Sequence, residues 1–285
     1  MKILAIGEII FDIFGDEAVI GGAPLNFCAH CVASGASAAM VSGVGDDEFG
    51  KKALGYLEKF GVDTRFVSTV GKETGKCIVT VRNGQPSYNV MRPAAYDMLD
   101  ADIKSVREYG ADIFAFGTLI QREEKSRKAV RDILENCRFT DVFCDINLRN
   151  GCYDAESCRL CLENATILKL SDEEEPFLAK FGFYEVAETE EKLLENIADA
   201  FRNIRLILFT KGENGSVIYD VKNRKYEYVP SVKTEVVSTV GAGDSYSAAF
   251  LCEYFRSGDL TKAGKSAAEL SALVVSHKEA IPDLK

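Results

Sequence analysis

The sequence predicts an α/β fold: a mostly parallel central sheet with helices on both faces. Three observations carry this. Six short runs are almost continuously apolar, as strands buried on both faces must be. Helix-like segments of ten or more residues separate them, which is the pattern of βαβ units with right-handed crossovers. The 285 residues are 47% hydrophobic and 27% charged, enough apolar surface for a large core.

In chain order, the strand-like runs are 2–7 (KILAIG), 38–44 (AAMVSGV), 112–117 (DIFAFG), 141–147 (DVFCDIN), 165–170 (ATILKL) and 205–210 (RLILFT). Helix-like segments cover 25–34, 48–60, 100–109, 123–136, 154–163 and 189–202. A hairpin-like pair follows around 215–229, and two long helical stretches, 242–256 and 260–278, close the chain. Two regions break the alternation. Residues 12–22 read as short and irregular. Residues 75–92 read as a hairpin turning at Asn83-Gly84, projecting from the sheet edge to cover a site there. No repeat, low-complexity tract or linker divides the chain, so residues 1–285 are expected to form one domain with a small lid from about 12–22 and 75–97.

Composition narrows the function. The formal net charge is −10 with no Lys/Arg cluster, which argues against nucleic acid as a partner. No apolar run reaches the roughly 20 residues of a membrane span, and the first residues lack the features of a signal peptide, so a cytoplasmic location without membrane association is expected. Nine cysteines are then expected to stay reduced. Cys28/Cys31 and Cys158/Cys161 each lie one helical turn apart, read as small core residues rather than a zinc site. The two histidines, His30 and His277, read as structural, so a Ser-His-Asp or Cys-His centre is hard to assemble.

The sharpest motif is Ser238-Thr239-Val240-Gly241-Ala242-Gly243-Asp244-Ser245, after a strand-like TEVV run and at the start of a long helix. Small residues let the backbone approach a ligand, and first-turn N–H groups converge with the positive end of the helix dipole behind them. Such a nest suits a developing phosphoryl charge. A carboxylate beside it, Asp244, is suited to accept the proton of an attacking hydroxyl, although an Asp at a helix start also serves as a simple cap. The second motif, Gly21-Gly22-Ala23-Pro24-Leu25-Asn26, pairs a close backbone approach with an amide that both donates and accepts. Gly45 to Lys52 superficially resembles a phosphate loop, but it lacks the final Ser/Thr and carries three acids, so Asp46 to Glu48 read as a helix start.

Together these motifs resemble the ribokinase (PfkB) family of carbohydrate kinases over nearly the whole chain. The match begins at Gly7-Glu8 and Asp12. It runs through residues 21–26, Gly43 to Gly50, Asp145-Ile146-Asn147-Leu148-Arg149, Lys169 to Glu174 and Thr210 to Gly215, and ends at residues 238–248. The resemblance implies a three-layer ribokinase-like sandwich with a small β lid and ATP-dependent phosphorylation of a sugar hydroxyl. It implies that Asp12, Gly21, Gly22 and Asn26 hold the substrate, with Arg149 and, from the lid, Arg92. It implies Asp244 as base, Gly241, Ala242 and Gly243 as the anion hole, and Thr210, Gly212, Gly215 and Gly243 along ATP. Glu174 carries over as a residue acting on Mg²⁺ through water, with Ser171 replacing the usual Asn.

Two departures, Ser238 where the family usually has Asp and Glu279 where glycine is common, count against a monovalent-cation site. The lid is short, and a homodimer through it is left open. The segment GE-x-x-x-D followed by GGAPLN looks most like the fructokinase branch, so fructose is the first expectation for the substrate. A nucleoside or sugar-acid kinase of the same family, and a catalytically silent sugar or nucleotide sensor, are the alternatives. A nucleoside site would need aromatic stacking, for which Tyr88 and Tyr96 are the nearby candidates.

Overall fold

The computed structural model describes residues 1–82 and 85–283. In chain order, the first half comprises β1 (Lys2–Ile6), β2 (Ile10–Phe14), β3 (Glu17–Gly21), α1 (Ala23–Ala33), β4 (Ser37–Gly45), α2 (Glu48–Lys59), β5 (Val67–Val70), β6 (Gly75–Arg82), β7 (Gln85–Val90), α3 (Ile103–Tyr109), β8 (Ile113–Gly117) and α4 (Glu124–Asn136). The second half comprises β9 (Asp141–Asp145), α5 (Ala155–Asn164), β10 (Ile167–Ser171), α6 (Glu175–Leu178), α7 (Glu190–Ala200), β11 (Leu206–Thr210), β12 (Ser216–Asp220), β13 (Lys225–Val229), α8 (Ala242–Ser257) and α9 (Leu260–Val275).

Nine strands form the large sheet in the order β13-β12-β11-β10-β9-β8-β1-β4-β5. From β11 to β5 every pairing is parallel, and β12 and β13 add an antiparallel edge. Alternate side chains of the same strand feed two separate cores, as pleating requires. Ile3, Met40 and Ile113 pack with α1, α2, α8 and α9, while Leu4, Val41 and Phe114 pack with α3, α4, α5 and α7. The three-layer ribokinase-like sandwich expected from the sequence is the observed architecture.

The smaller sheet has the order β3-β2-β6-β7. Here the structure corrects the sequence reading of residues 12–22, which are not irregular: β2 and β3 form an antiparallel hairpin around Gly15, whose φ of 61° makes the tight reversal. The 75–92 hairpin exists as β6 and β7, and its expected turn at Asn83-Gly84 lies outside the described residues. It does not project alone, because β6 pairs in parallel with β2, Ile10 opposite Gly75 and Ile13 opposite Ile78.

Other boundaries moved for local reasons. The helix expected from residue 100 starts at Ile103, because the Asp102 carboxylate accepts the Ser105 N–H at 3.2 Å and caps it there. Asp47 caps α2 through the Gly50 N–H at 2.7 Å and also accepts the Thr74 N–H and hydroxyl, so the phosphate-loop look-alike is a structural helix start. The TEVV run before α8 is not a strand. It lies along the end of α9, where Val237 N–H donates to the Val275 carbonyl at 2.8 Å. Cys28, Cys31, Cys158 and Cys161 are all buried on helices. His30 is buried against the Ala280 carbonyl at 2.8 Å. Among the described residues no helix is long and apolar enough to cross a membrane.

Candidate active site

The parallel strands of the large sheet all end on one edge, and ligands of open α/β sheets bind outside such carboxyl ends. Asp145 ends β9, with Arg149 four residues on; Ser171 ends β10, with Glu174 three residues on; Thr210 ends β11 in register with Ser171. The N-terminus of α8 faces this edge. Its N-cap, Gly241, has φ 80°, and a Cβ there would stand 2.8 Å from the Ala280 side chain, so the turn is open only to glycine. Gly241, Ala242 and Gly243 thus lead into the first helical turn with Asp244 as its third residue.

Asp244 is placed by a second helix terminus. Asn26 on α1 donates its amide Nδ2 to Asp244 Oδ2 at 2.8 Å across 218 residues of chain. Asn26 is 3% exposed, and its Oδ1 has no hydrogen-bond partner among the described residues. Gly22 caps α1 with φ 115°, and a Cβ there would sit 2.5 Å from the Glu8 carbonyl. The paired glycines therefore let the β3–α1 turn press onto the chain after β1, which sets Asn26 opposite Asp244. Burial pushes the Asp244 carboxyl above its ordinary range, against the pull of the Asn26 amide, Lys169 and Arg149.

Three further residues stand here that the sequence reading assigned no role. Lys169, on β10, is buried and bonds Asp145 Oδ1 at 2.9 Å. A Cβ on Gly243 would come within 3.2 Å of its ammonium, so the lysine lies directly under the Gly241–Asp244 turn. Burial pushes Asp145 up to about 6, with Glu174 and Asp244 adding to it and Lys169 opposing. Although burial disfavours the Lys169 ammonium, Asp145 and Glu174 hold it above its usual range. One cation thus stands among three carboxylates, which raise it, while burial is what raises Asp145 against it. Glu8, 5% exposed two residues after β1, is pushed up to about 7 by burial, with Asp244 adding and Arg149 opposing. The signal for Lys169 was available, since one lysine in the apolar run ILKLS must find a partner when the strand is buried.

The remaining expected residues fall into two groups. Asp12 on β2 lies by Gly21, its Oδ2 at 3.4 Å from where a Gly21 Cβ would stand. Burial raises its carboxyl, with Cys77 and Arg149 opposing. Arg149 is exposed, and its charge acts on the Glu8, Asp12 and Asp244 carboxyls. Arg92 is otherwise engaged: its guanidinium bonds Glu123 Oε1 and the carbonyls of Arg122 and Gly151. Glu174 takes the Leu148 N–H and the Ser171 N–H on its two oxygens, both at 2.9 Å, and Ser171 Oγ accepts the Glu174 N–H at 3.3 Å. Thr210 is half-buried, and Gly212 is exposed at the loop after β11. Gly215 packs against β13, where a Cβ would meet the Val229 carbonyl at 2.2 Å. Tyr96 is fully buried under the Arg122 guanidinium, 4.7 Å from its ring, and is closed to stacking with a ligand. The Tyr88 side chain lies outside what the structure describes.

Comparison with known proteins agrees with this fold. A sugar kinase of Pyrococcus horikoshii is 29% identical over 98% of this chain and 91% of its own length. A crystal structure of that kinase in complex with ATP superposes with a TM-score of 0.82 at 27% identity, covering 98% of this chain and 94% of the other. Fructokinase-2 of Oryza sativa subsp. japonica is 27% identical over 99% of this chain and 90% of its length. The ATP-bound fructokinase of Xylella fastidiosa shares the fold at a TM-score of 0.84, with 20% identity over 98% of this chain and 94% of that one. The family model described as pfkB family carbohydrate kinase matches residues 8–285, and the chain is therefore a carbohydrate kinase of the pfkB family.

Proposed function

We propose that this kinase transfers the γ-phosphoryl group of ATP to a hydroxyl of a neutral sugar, fructose first, with Asp244 as general base. The observation that carries the reading is the Asp244 carboxylate, fixed by Asn26 at 2.8 Å in the first turn of α8 beside the glycine-lined turn. The sugar hydroxyl gives its proton to Asp244. Its oxygen forms the new bond to the γ-phosphorus as the bond to the β,γ-bridging oxygen breaks and ADP leaves. The amides of Gly241, Ala242 and Gly243 receive the charge of the transferring group, the Ala242 N–H turning to it from the Thr239 carbonyl at 3.3 Å, so catalysis is mainly positioning and electrostatics.

The cleft chemistry supports a neutral, hydroxyl-rich substrate. Asp12, Asp244 and Glu8 line it with carboxyl groups, and Arg149 is the guanidinium that acts on all three. Arg92 is held by Glu123 and two carbonyls, which leaves a sugar acid or sugar phosphate poorly matched in charge. Asp12, Gly21, Gly22 and the free Oδ1 of Asn26 take the sugar hydroxyls, and the smaller sheet, about 12–22 and 75–97, acts as the lid over it. The burial of Tyr96 counts against a nucleoside acceptor. The ATP side runs along Thr210, Gly212 and Gly215. Val237, Val240 and Leu273, all exposed beside the N-terminus of α8, offer an apolar seat for the adenine.

Glu174 suits a hydrated Mg²⁺, because backbone amides already occupy one lone pair on each oxygen and Mg²⁺ keeps several waters. Bound there with the phosphates, the ion supplies positive charge to the transferring oxygens.

The test is ADP release from ATP and Mg²⁺ over a panel of sugars, sugar acids, sugar phosphates and nucleosides, with Asp244→Asn alongside. Turnover on a neutral sugar, reduced by about 100-fold or more in the variant, is expected from loss of a general base. Near wild-type turnover by Asp244→Asn removes the base assignment. Binding of ATP without turnover on any acceptor favours a sensor.

A further inference from the structure

We propose that Lys169, clamped by Asp145 under the Gly241–Asp244 turn, is a positioning residue for phosphoryl transfer, supplying fixed positive charge to the base and to the terminal phosphate. The inference rests on the reading of the site given above.

Three observations lead to it. The pair is enclosed: the side chains of Lys169 and Asp145 are 8% and 15% exposed, and the N–O distance is 2.9 Å. A buried ion pair is weak support for a fold, since well-packed apolar residues of the same volume serve stability as well or better. Lys169 lies in a strand whose neighbours Leu168 and Leu170 are both fully buried and apolar, so a charge there calls for another explanation. Second, the ammonium lies against the glycine of the transfer turn. A Cβ on Gly243 would stand 3.2 Å from its Nζ and 3.3 Å from its Cε, so glycine at 243 leaves room for the lysine as well as for the ligand. Third, an ammonium has three N–H donors, and its hydrogen bond within the protein goes to Asp145.

The surroundings define what this charge does. Asp145, Glu174 and Asp244 act on Lys169, and the Tyr246 phenol on α8 also feels it. Around Asp244 stand the neutral Asn26 on α1, Lys169 on β10 and Arg149 after β9, with the acids Glu8 and Asp145 opposing. Lys169 and Arg149 are thus the two cations that pull the base's carboxyl down against burial. Arg149 is exposed and free to follow the substrate, whereas Lys169 is locked. A base must be ionised before the sugar arrives, and the locked cation is the one that can see to it. Removing that charge raises the carboxyl of Asp244, so the base is lost at a higher pH on acidification.

The experiment compares wild type, Lys169→Met, Lys169→Arg, Asp145→Asn and Asp244→Asn. Methionine keeps the length of the lysine stem without its charge. Sugar-dependent ADP release is measured from pH 5 to 9, and the affinities of the magnesium complexes of ATP and ADP are measured by calorimetry. For Lys169→Met the expected result is a kcat lower by about 30-fold or more, on the scale of other fixed electrostatic groups. The KM for sugar stays within about threefold, and the acid limb of kcat moves to higher pH. Lys169→Arg recovers part of kcat, and Asp145→Asn shifts the limb in the same direction. If Lys169→Met keeps kcat and the acid limb of wild type while Asp244→Asn is inactive, the proposal is overturned and the kinase reading stands. If wild type turns over no acceptor, the kinase reading fails, and calorimetry decides the lysine. A Lys169→Met protein that loses the preference for ATP over ADP sustains the charge beside the terminal phosphate, and one that keeps it ends the proposal.

Discussion

Replacing Glu8 with Gln is expected to stabilise the protein at neutral pH and leave it unchanged in mild acid. The side chain is 5% exposed, and burial raises its carboxyl from 4.5 to about 7. Its carboxylate is partly compensated, accepting its own backbone N–H and that of Ala23, with Arg149 attracting it and Asp244 repelling it. In the unfolded chain the group ionises near its ordinary value, while the folded chain keeps it protonated until about 7. Stability is therefore lost as pH rises from about 4.5 to about 7, and the loss then levels off. At roughly 1.4 kcal/mol per pH unit this interval is worth about 3 kcal/mol. Glutamine has the shape of the protonated acid and no charge to bury. The difference in unfolding free energy, Glu8→Gln minus wild type, should then be near zero at pH 4.5 and approach about 3 kcal/mol at pH 7.5. Urea unfolding of both proteins at several pH values measures it, and every other titrating group cancels in the difference. Parallel curves within about 0.5 kcal/mol across that range would refute the assignment of a buried, protonated Glu8.

Arg122→Met should cost about 3–5 kcal/mol, because it leaves the buried Asp97 carboxylate without its two bonds of 2.8 and 2.7 Å, and a thermal melt reads the loss. That change also frees the Met91 carbonyl, which Arg122 holds at 2.7 Å where the smaller sheet rejoins the body. Arg149→Met should raise the KM for sugar by roughly 10-fold or more, the worth of a charge-assisted hydrogen bond, with an unchanged melting temperature because the side chain is exposed. Asp244→Asn should reduce kcat and leave the fold intact, and Lys169→Met should move the acid limb of kcat upward.

Local pattern determined much of this protein. The apolar runs at β1, β4, β8, β9, β10 and β11, and the helices between them, are readable because a strand buried on both faces must be apolar throughout. The α8 turn is readable because only small residues fit there. Residues 12–22 were not readable as β2 and β3, since five-residue strands become stable only by pairing, here with each other and, for β2, with β6 from more than sixty residues away. Tertiary structure alone decided which polar groups meet. Asn26 and Asp244 are 218 positions apart, and Lys169 and Asp145 are 24 apart. Nothing in the spacing of those residues announces that the ends of α1, β9, β10 and α8 converge at one sheet edge. Sequence periodicity reports which face of an element is buried. The partner of a buried charge is set by the packing of whole layers, and that is where Lys169, Asp145 and Glu8 acquire their chemistry.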